Sequence, residues 1–170
     1  MSHFLKSSSH FISVAGLVLL GGCAGLGGQA LAPGMPEADV VARLGRPTNV
    51  YPDGNGRVLE YMHGPMGQTT DMARIGADGK LLSYEQVLTM QQFGLLRINQ
   101  SNQADVLRTV GAPSERGYLP RVQLTTWSYP YKETGVWDSQ MTVYFDAQGV
   151  MRRLENGPDP RRMPSDGGFN

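Results

Sequence analysis

Cysteine is almost absent from this chain. Cys23 is the only one among 170 residues, so no disulfide can close within the chain and no Cys/His nucleophile pair can be built in its body. Histidine is nearly as scarce: His3 and His10 fall in the first ten residues and leave His63 alone in the remainder. A zinc site of the His/Cys type therefore lacks ligands, and no metal or cofactor is expected. Charge of one sign is missing too, since 15 Lys or Arg balance 15 Asp or Glu and the pI is near 6.8. That balance leaves no electrostatic footprint for nucleic acid. Glycine and proline, by contrast, are plentiful at 22 and 11 residues. They favour a turn-rich β or α+β domain over a helical bundle.

The N-terminal segment reads as an address. Lys6 precedes an apolar run of ten residues, Phe11 to Leu20, in the order of a secretory signal and too short to cross a bilayer. Next come Leu20, Gly21, Gly22 and Cys23, which resemble the lipobox of bacterial lipoprotein precursors at all four positions. The resemblance implies a signal peptide over 1–22, acyl chains on Cys23 and attachment to a membrane through them. Ala24, where an aspartate would favour retention at the inner membrane, implies the periplasmic face of the outer membrane. Residues 23–33 are glycine-rich and read as a flexible tether.

The body is a repeat. Positions 38–47 align with 104–113 at an offset of 66 with five identities: Ala38, Asp39, Val40, Gly45 and Pro47 match Ala104, Asp105, Val106, Gly111 and Pro113. Each copy predicts a short helix with acidic residues in its first turn, stopped by a glycine and then a proline. Pro36 suits the first helical position of one copy, and Ser101 or Asn102 the N-cap of the other. Val40, Val41 and Leu44, and Val106, Leu107 and Val110, mark the buried stripes. The same offset sets Tyr61 against Trp127, and an offset of 70 sets Gly79 against Gly149 in the last hairpin of each copy. The four residues that separate the two offsets fall near Lys132 to Asp138. The expected fold is α+β, a tandem of short helix plus three-stranded antiparallel sheet. The first repeat spans 34–89, a connecting helical segment 90–99, the second repeat 100–156 and a disordered tail 157–170.

A helix ending in Leu-Gly-x-Pro, a strand with a central aromatic and a glycine-turned hairpin, all behind a lipobox, resemble the BamE (SmpA/OmlA) lipoprotein family. That resemblance implies a fold shared with each half of the β-lactamase inhibitor protein. It also implies a non-catalytic accessory role beside the subunits of the β-barrel assembly machinery. A periplasmic enzyme inhibitor is the alternative that the tandem fold suggests.

For sites, Trp127, Tyr129 and Tyr131 share one face of a strand by period two. Either Trp127 and Tyr129 pack beneath the helix and the rest are ordinary strand residues, or the face stays open to a partner. In the second case Tyr131, Trp137, Tyr144 and Arg152 form the partner-binding face, because large aromatics and arginine anchor interfaces. His63, with no serine and acid at triad spacing, reads as a solvated or hydrogen-bonded side chain. Asp71, Asp78, Asp138 and Asp146 fall at loops and strand ends, where turn geometry favours aspartate. The glycines at 64, 67, 27 and 28 lack the strand, helix and lysine of a phosphate loop. No catalytic residue is expected.

Overall fold

The computed structural model describes residues 31–63 and 68–163. The expected signal peptide, Cys23 and most of the tether lie outside them. The element order is α1 (Glu37–Leu44), β1 (Asn49–Asp53), β2 (Gly56–His63), β3 (Thr69–Ile75), β4 (Leu81–Gln86) and α2 (Met90–Phe93). It continues with α3 (Gln103–Val110), β5 (Glu115–Leu119), β6 (Leu124–Glu133), β7 (Trp137–Phe145) and β8 (Met151–Pro158). Apart from α2, the second half repeats the order of the first. The fold is α+β, with two antiparallel sheets ordered β1-β2-β3-β4 and β5-β6-β7-β8.

Each sheet therefore has four strands rather than the expected three. The additional ones, β1 and β5, lie between the helix and the first aromatic strand of each copy. Pro52 in β1 and Gly117 in β5 interrupt the alternation by which a strand is recognised, and both segments are edge strands of mostly exposed residues.

The helices start and stop for local reasons. In α3 the Asn102 side chain accepts from the Asp105 amide at 3.1 Å while the Asp105 carboxylate accepts from the Asn102 amide at 2.8 Å, a reciprocal capping box. Gly45 and Gly111 end α1 and α3 at φ +82° and +87°, a region an L side chain rarely adopts, and each amide donates back four residues. Only Met90–Phe93 of the connecting segment is helical, capped by Thr89.

One face of each sheet packs under its own helix. Val40 of α1 meets Leu59, Tyr61, Ala73, Ile75 and Leu81, and Leu31 joins this cluster, so the end of the tether is docked on the domain. Val106 and Val110 of α3, with Phe93 of α2, meet Trp127, Tyr129, Tyr131, Met141, Val143 and Phe145. The other face of the first sheet, bearing Val58, Met72 and Val87, is buried as well. It lies against the C-terminal end of α3: Arg74 Nη2 donates to the Arg108 carbonyl at 3.2 Å and the Ala112 amide to Glu60 Oε1 at 2.7 Å.

Among the described residues, no helix covers the second sheet in this way. Its corresponding face carries Leu124, Thr142 and Gly157 where the first sheet carries Val58, Met72 and Val87, and no helix among the described residues lies over it. The two copies thus diverge on this face, with threonine and glycine at two of the three positions where the first sheet buries methionine and valine.

The stretch expected as a disordered tail begins as structure. Gly157 and Pro158 pair with Gln140 and Ser139, the Asp159 amide donates to the Asp138 carbonyl at 3.0 Å, and the Asp159 side chain is buried beside Arg161. Pairing with β7 supplies the order that the composition of this segment does not suggest.

Candidate functional site

Alternation along β6 sends Trp127, Tyr129 and Tyr131 to the same face, and that face is the one beneath α2 and α3. All three are buried. The Phe93 ring meets those of Tyr129 and Tyr131 edge-on at 5.8 and 5.4 Å, and Trp127 meets Phe145 at 4.7 Å. The Tyr129 hydroxyl donates to the Gly111 carbonyl at 3.0 Å, and that of Tyr131 to Asn156 Oδ1 at 3.0 Å. Burial pushes the Tyr131 phenol up to about 12. Tyr131 is therefore a core residue and leaves the expected partner-binding face.

Tyr144 points to the opposite face of the second sheet, over which no helix lies among the described residues. Its hydroxyl donates to Glu155 Oε2 at 2.6 Å and the Arg153 guanidinium lies 4.0 Å above its ring. A shallow cavity of about 450 Å³ opens on this face beside Gln140, Thr142, Glu155 and Asn156. Arg152 turns away to Asp146 and Asn99 near the β7–β8 turn. Trp137 sits at the far end of β7. The four residues expected as one face thus occupy the core, the open face and two opposite ends of the sheet.

Of these four, Trp137 has the geometry of an anchor. It is 70% exposed and follows Val136, which is 66% exposed, at the tip of the β6–β7 hairpin. Thr134 and Gly135, at φ +50° and +77°, turn the chain there. The base of the hairpin is held from several sides. Asp138 Oδ1 accepts from Gln68 Nε2 at 2.5 Å and pairs with Lys132 Nζ at 2.8 Å, and the Gln68 bond foremost holds its carboxyl below the usual range. Glu133 Oε2 accepts from Ser139 Oγ at 2.7 Å and from Asn156 Nδ2 at 3.0 Å, and the serine bond lowers its pKa as well. Since Gln68 belongs to the first repeat, the tip is braced by both copies. An apolar pair presented on a braced hairpin loses little conformational freedom when a partner covers it.

Comparison with protein-family models, curated proteins and solved structures returns no match for this chain.

Trp137 is legible in the sequence as a large aromatic, whereas Val136 carries no such signal beyond its place in the four-residue insertion near Lys132 to Asp138. Glu60 carries no signal in the sequence. This carboxylate stands in the middle of β2 on the face turned toward α3, fully buried. It accepts from Asn49 Nδ2 at 2.6 Å, from the Tyr51 hydroxyl at 2.7 Å and from the Ala112 amide. The Tyr51 phenol is pushed far up, first by burial and then by Glu60. Three donors satisfy a buried charge that would otherwise be very costly, and one of them comes from the other repeat. Glu60 is a structural clasp between the copies.

His63 Nε2 lies 2.7 Å from Asp71 Oδ2, which also accepts from the Tyr84 hydroxyl at 3.0 Å. Among the described residues no serine, threonine or cysteine is hydrogen-bonded to His63. Asp71 is the third residue of β3, inside the strand rather than at the loop or strand end expected. Asp78 accepts from an amide of its own turn, while Asp146 accepts from the Gln148 and Val150 amides and pairs with Arg152. Each of these carboxylates serves its own hairpin.

Proposed function

We propose that this chain is a non-catalytic lipoprotein of the outer membrane, held at the periplasmic face by acyl chains on Cys23. Its role is that of a protein-binding accessory or scaffold in envelope biogenesis, working with subunits of the β-barrel assembly machinery. The lipobox resemblance supports the address, and the helix-and-sheet tandem is compatible with a doubled BamE-like unit in which each sheet has gained an edge strand.

The observation that carries the binding role is the braced β6–β7 tip. A tryptophan and a valine exposed side by side lose apolar hydration when covered, and tryptophan is the residue most enriched where truncation costs an interface its affinity. The charges near the tip are already engaged within the chain, Lys132 and Arg162 with Asp138 and Glu133 with Ser139 and Asn156, so the surface is suited to an apolar pocket on a partner rather than to a charged one.

The test is affinity purification of the mature lipoprotein from gently solubilised outer membrane, with co-purifying proteins identified by mass. Barrel-assembly subunits are the expected partners, and Trp137→Ala should deplete them while leaving the protein folded and membrane-bound. Cys23→Ser should release the protein from the membrane fraction. Recovery of a periplasmic hydrolase in place of those subunits would replace this role with the inhibitor alternative. Undiminished recovery with Trp137→Ala would exclude the tip as the anchor.

A further inference from the structure

Two open four-stranded sheets present four edges, and three of them are obstructed. In β1, Pro52 has no amide to donate and α3 packs alongside the strand. The start of β4 is taken by the chain leading into α1, with Gly34 donating to the Leu81 carbonyl and Leu81 to that of Met35, both at 2.8 Å. The start of β8 is taken in the same way, with Asn99 donating to the Met151 carbonyl and Met151 to that of Ser101 at 2.8 Å, and the strand ends in Pro158.

The fourth edge, β5, is different. All five of its residues, Glu115 to Leu119, are exposed. The strand contains neither proline nor lysine, and no other segment among the described residues pairs with its outer side. Its apolar side chains are uncovered as well: Tyr118 is 59% exposed, Leu119 40%, and Val122 in the following turn 58%. A strand edge of this kind is a row of free amides and carbonyls, and what satisfies such a row is another strand.

We infer that a second copy of this chain supplies that strand, β5 pairing antiparallel with β5 about a two-fold axis through Gly117. In this register Glu115 faces Leu119 of the second copy, Arg116 faces Tyr118, and Gly117 faces itself. No like charges meet, arginine meets an aromatic ring on both sides of the axis, and the residue on the axis has no side chain to collide. Without Lys6 of the expected signal peptide the charges are nearly balanced, so two copies approach with little net repulsion. The product is one continuous sheet running from β8 of one copy to β8 of the other. Five residues a side bury less than a standard interface of about 800 Å² per partner, so the dimer is a weak one, sensitive to concentration.

Disulfide cross-linking of the full chain in envelope membranes tests the register. The parent chain, with Cys23 alone, is the background control. Gly117→Cys should give a disulfide dimer on mild oxidation, its new Cβ requiring only that the Thr126 hydroxyl, 2.7 Å away, swing aside. Glu115→Cys and Leu119→Cys should each stay monomeric alone and cross-link when expressed together. Val136→Cys, at the other end of the sheet, should stay monomeric. A second readout guards against a folding artefact: a melting temperature for Gly117→Cys matching the parent makes its result decisive in either direction. No dimer from Gly117→Cys and none from the Glu115/Leu119 mixture would overturn the inference. So would cross-linking of Val136→Cys at the same rate as Gly117→Cys.

Discussion

Replacing Glu60 by alanine withdraws the acceptor from three donors at once: Asn49 Nδ2, the Tyr51 hydroxyl and the Ala112 amide. A donor left unpaired in a buried site costs about 1–3 kcal/mol. Asn49 and Tyr51 are only partly buried and can recover some of this through water, which brings the total to about 3–5 kcal/mol. That is a large share of the ~5–15 kcal/mol by which small domains are stable. Glu60→Gln keeps an oxygen for Ala112 but sets an amide nitrogen against both side-chain donors, of which the Tyr51 hydroxyl can turn to accept and Asn49 Nδ2 is left unpaired, for an expected cost of about 1–2 kcal/mol. Urea unfolding measures both. It also measures coupling, because Trp127 and Trp137 both lie in the second repeat while far-UV circular dichroism reports the two repeats together. In the parent protein the two signals should fall together; in Glu60→Ala their midpoints should separate. The reasoning fails if Glu60→Ala costs under about 1 kcal/mol, or if alanine and glutamine cost the same with coincident transitions.

The two tryptophans should behave as opposites: Trp127→Ala, emptying a buried site against Phe145, should cost about 3–5 kcal/mol, and Trp137→Ala less than about 0.5. Acrylamide quenching checks this independently, since the fluorescence left in Trp127→Ala should be readily quenched. Asp146 gives an acid-side prediction. Its carboxyl is held below the usual value, first by the Val150 amide and also by Arg152. A folded pKa below the unfolded value of about 3.9 means that its stabilisation is present above that pH and is lost as pH falls through the folded value. Asp146→Asn should therefore flatten the dependence of the urea midpoint on pH below about 4, and an unchanged slope there would contradict the assignment.

Much of the architecture was legible without coordinates because it depends on residues near one another in sequence. Gly45 and Gly111 end helices through their own backbone conformation, Gly79 and Gly149 turn hairpins at φ +73° and +76°, and the offsets of 66 and 70 follow from repeating those local units. Period two correctly put Trp127, Tyr129 and Tyr131 on one face.

Which face that was, and what covered it, depended on α2 and α3, and so the tertiary structure alone decided that Tyr131 belongs to the core. The same holds for β1 and β5, whose backbone bonds are completed by β2 and β6 despite Pro52 and Gly117. It holds above all for Glu60: a carboxylate between Leu59 and Tyr61 looks like the solvated position of an alternating strand. Its burial follows from an amide 52 residues away arriving at 2.7 Å. Local sequence specifies each turn and cap through short-range geometry, whereas the fate of a polar group is set by which distant donors the packing of the two repeats brings to it.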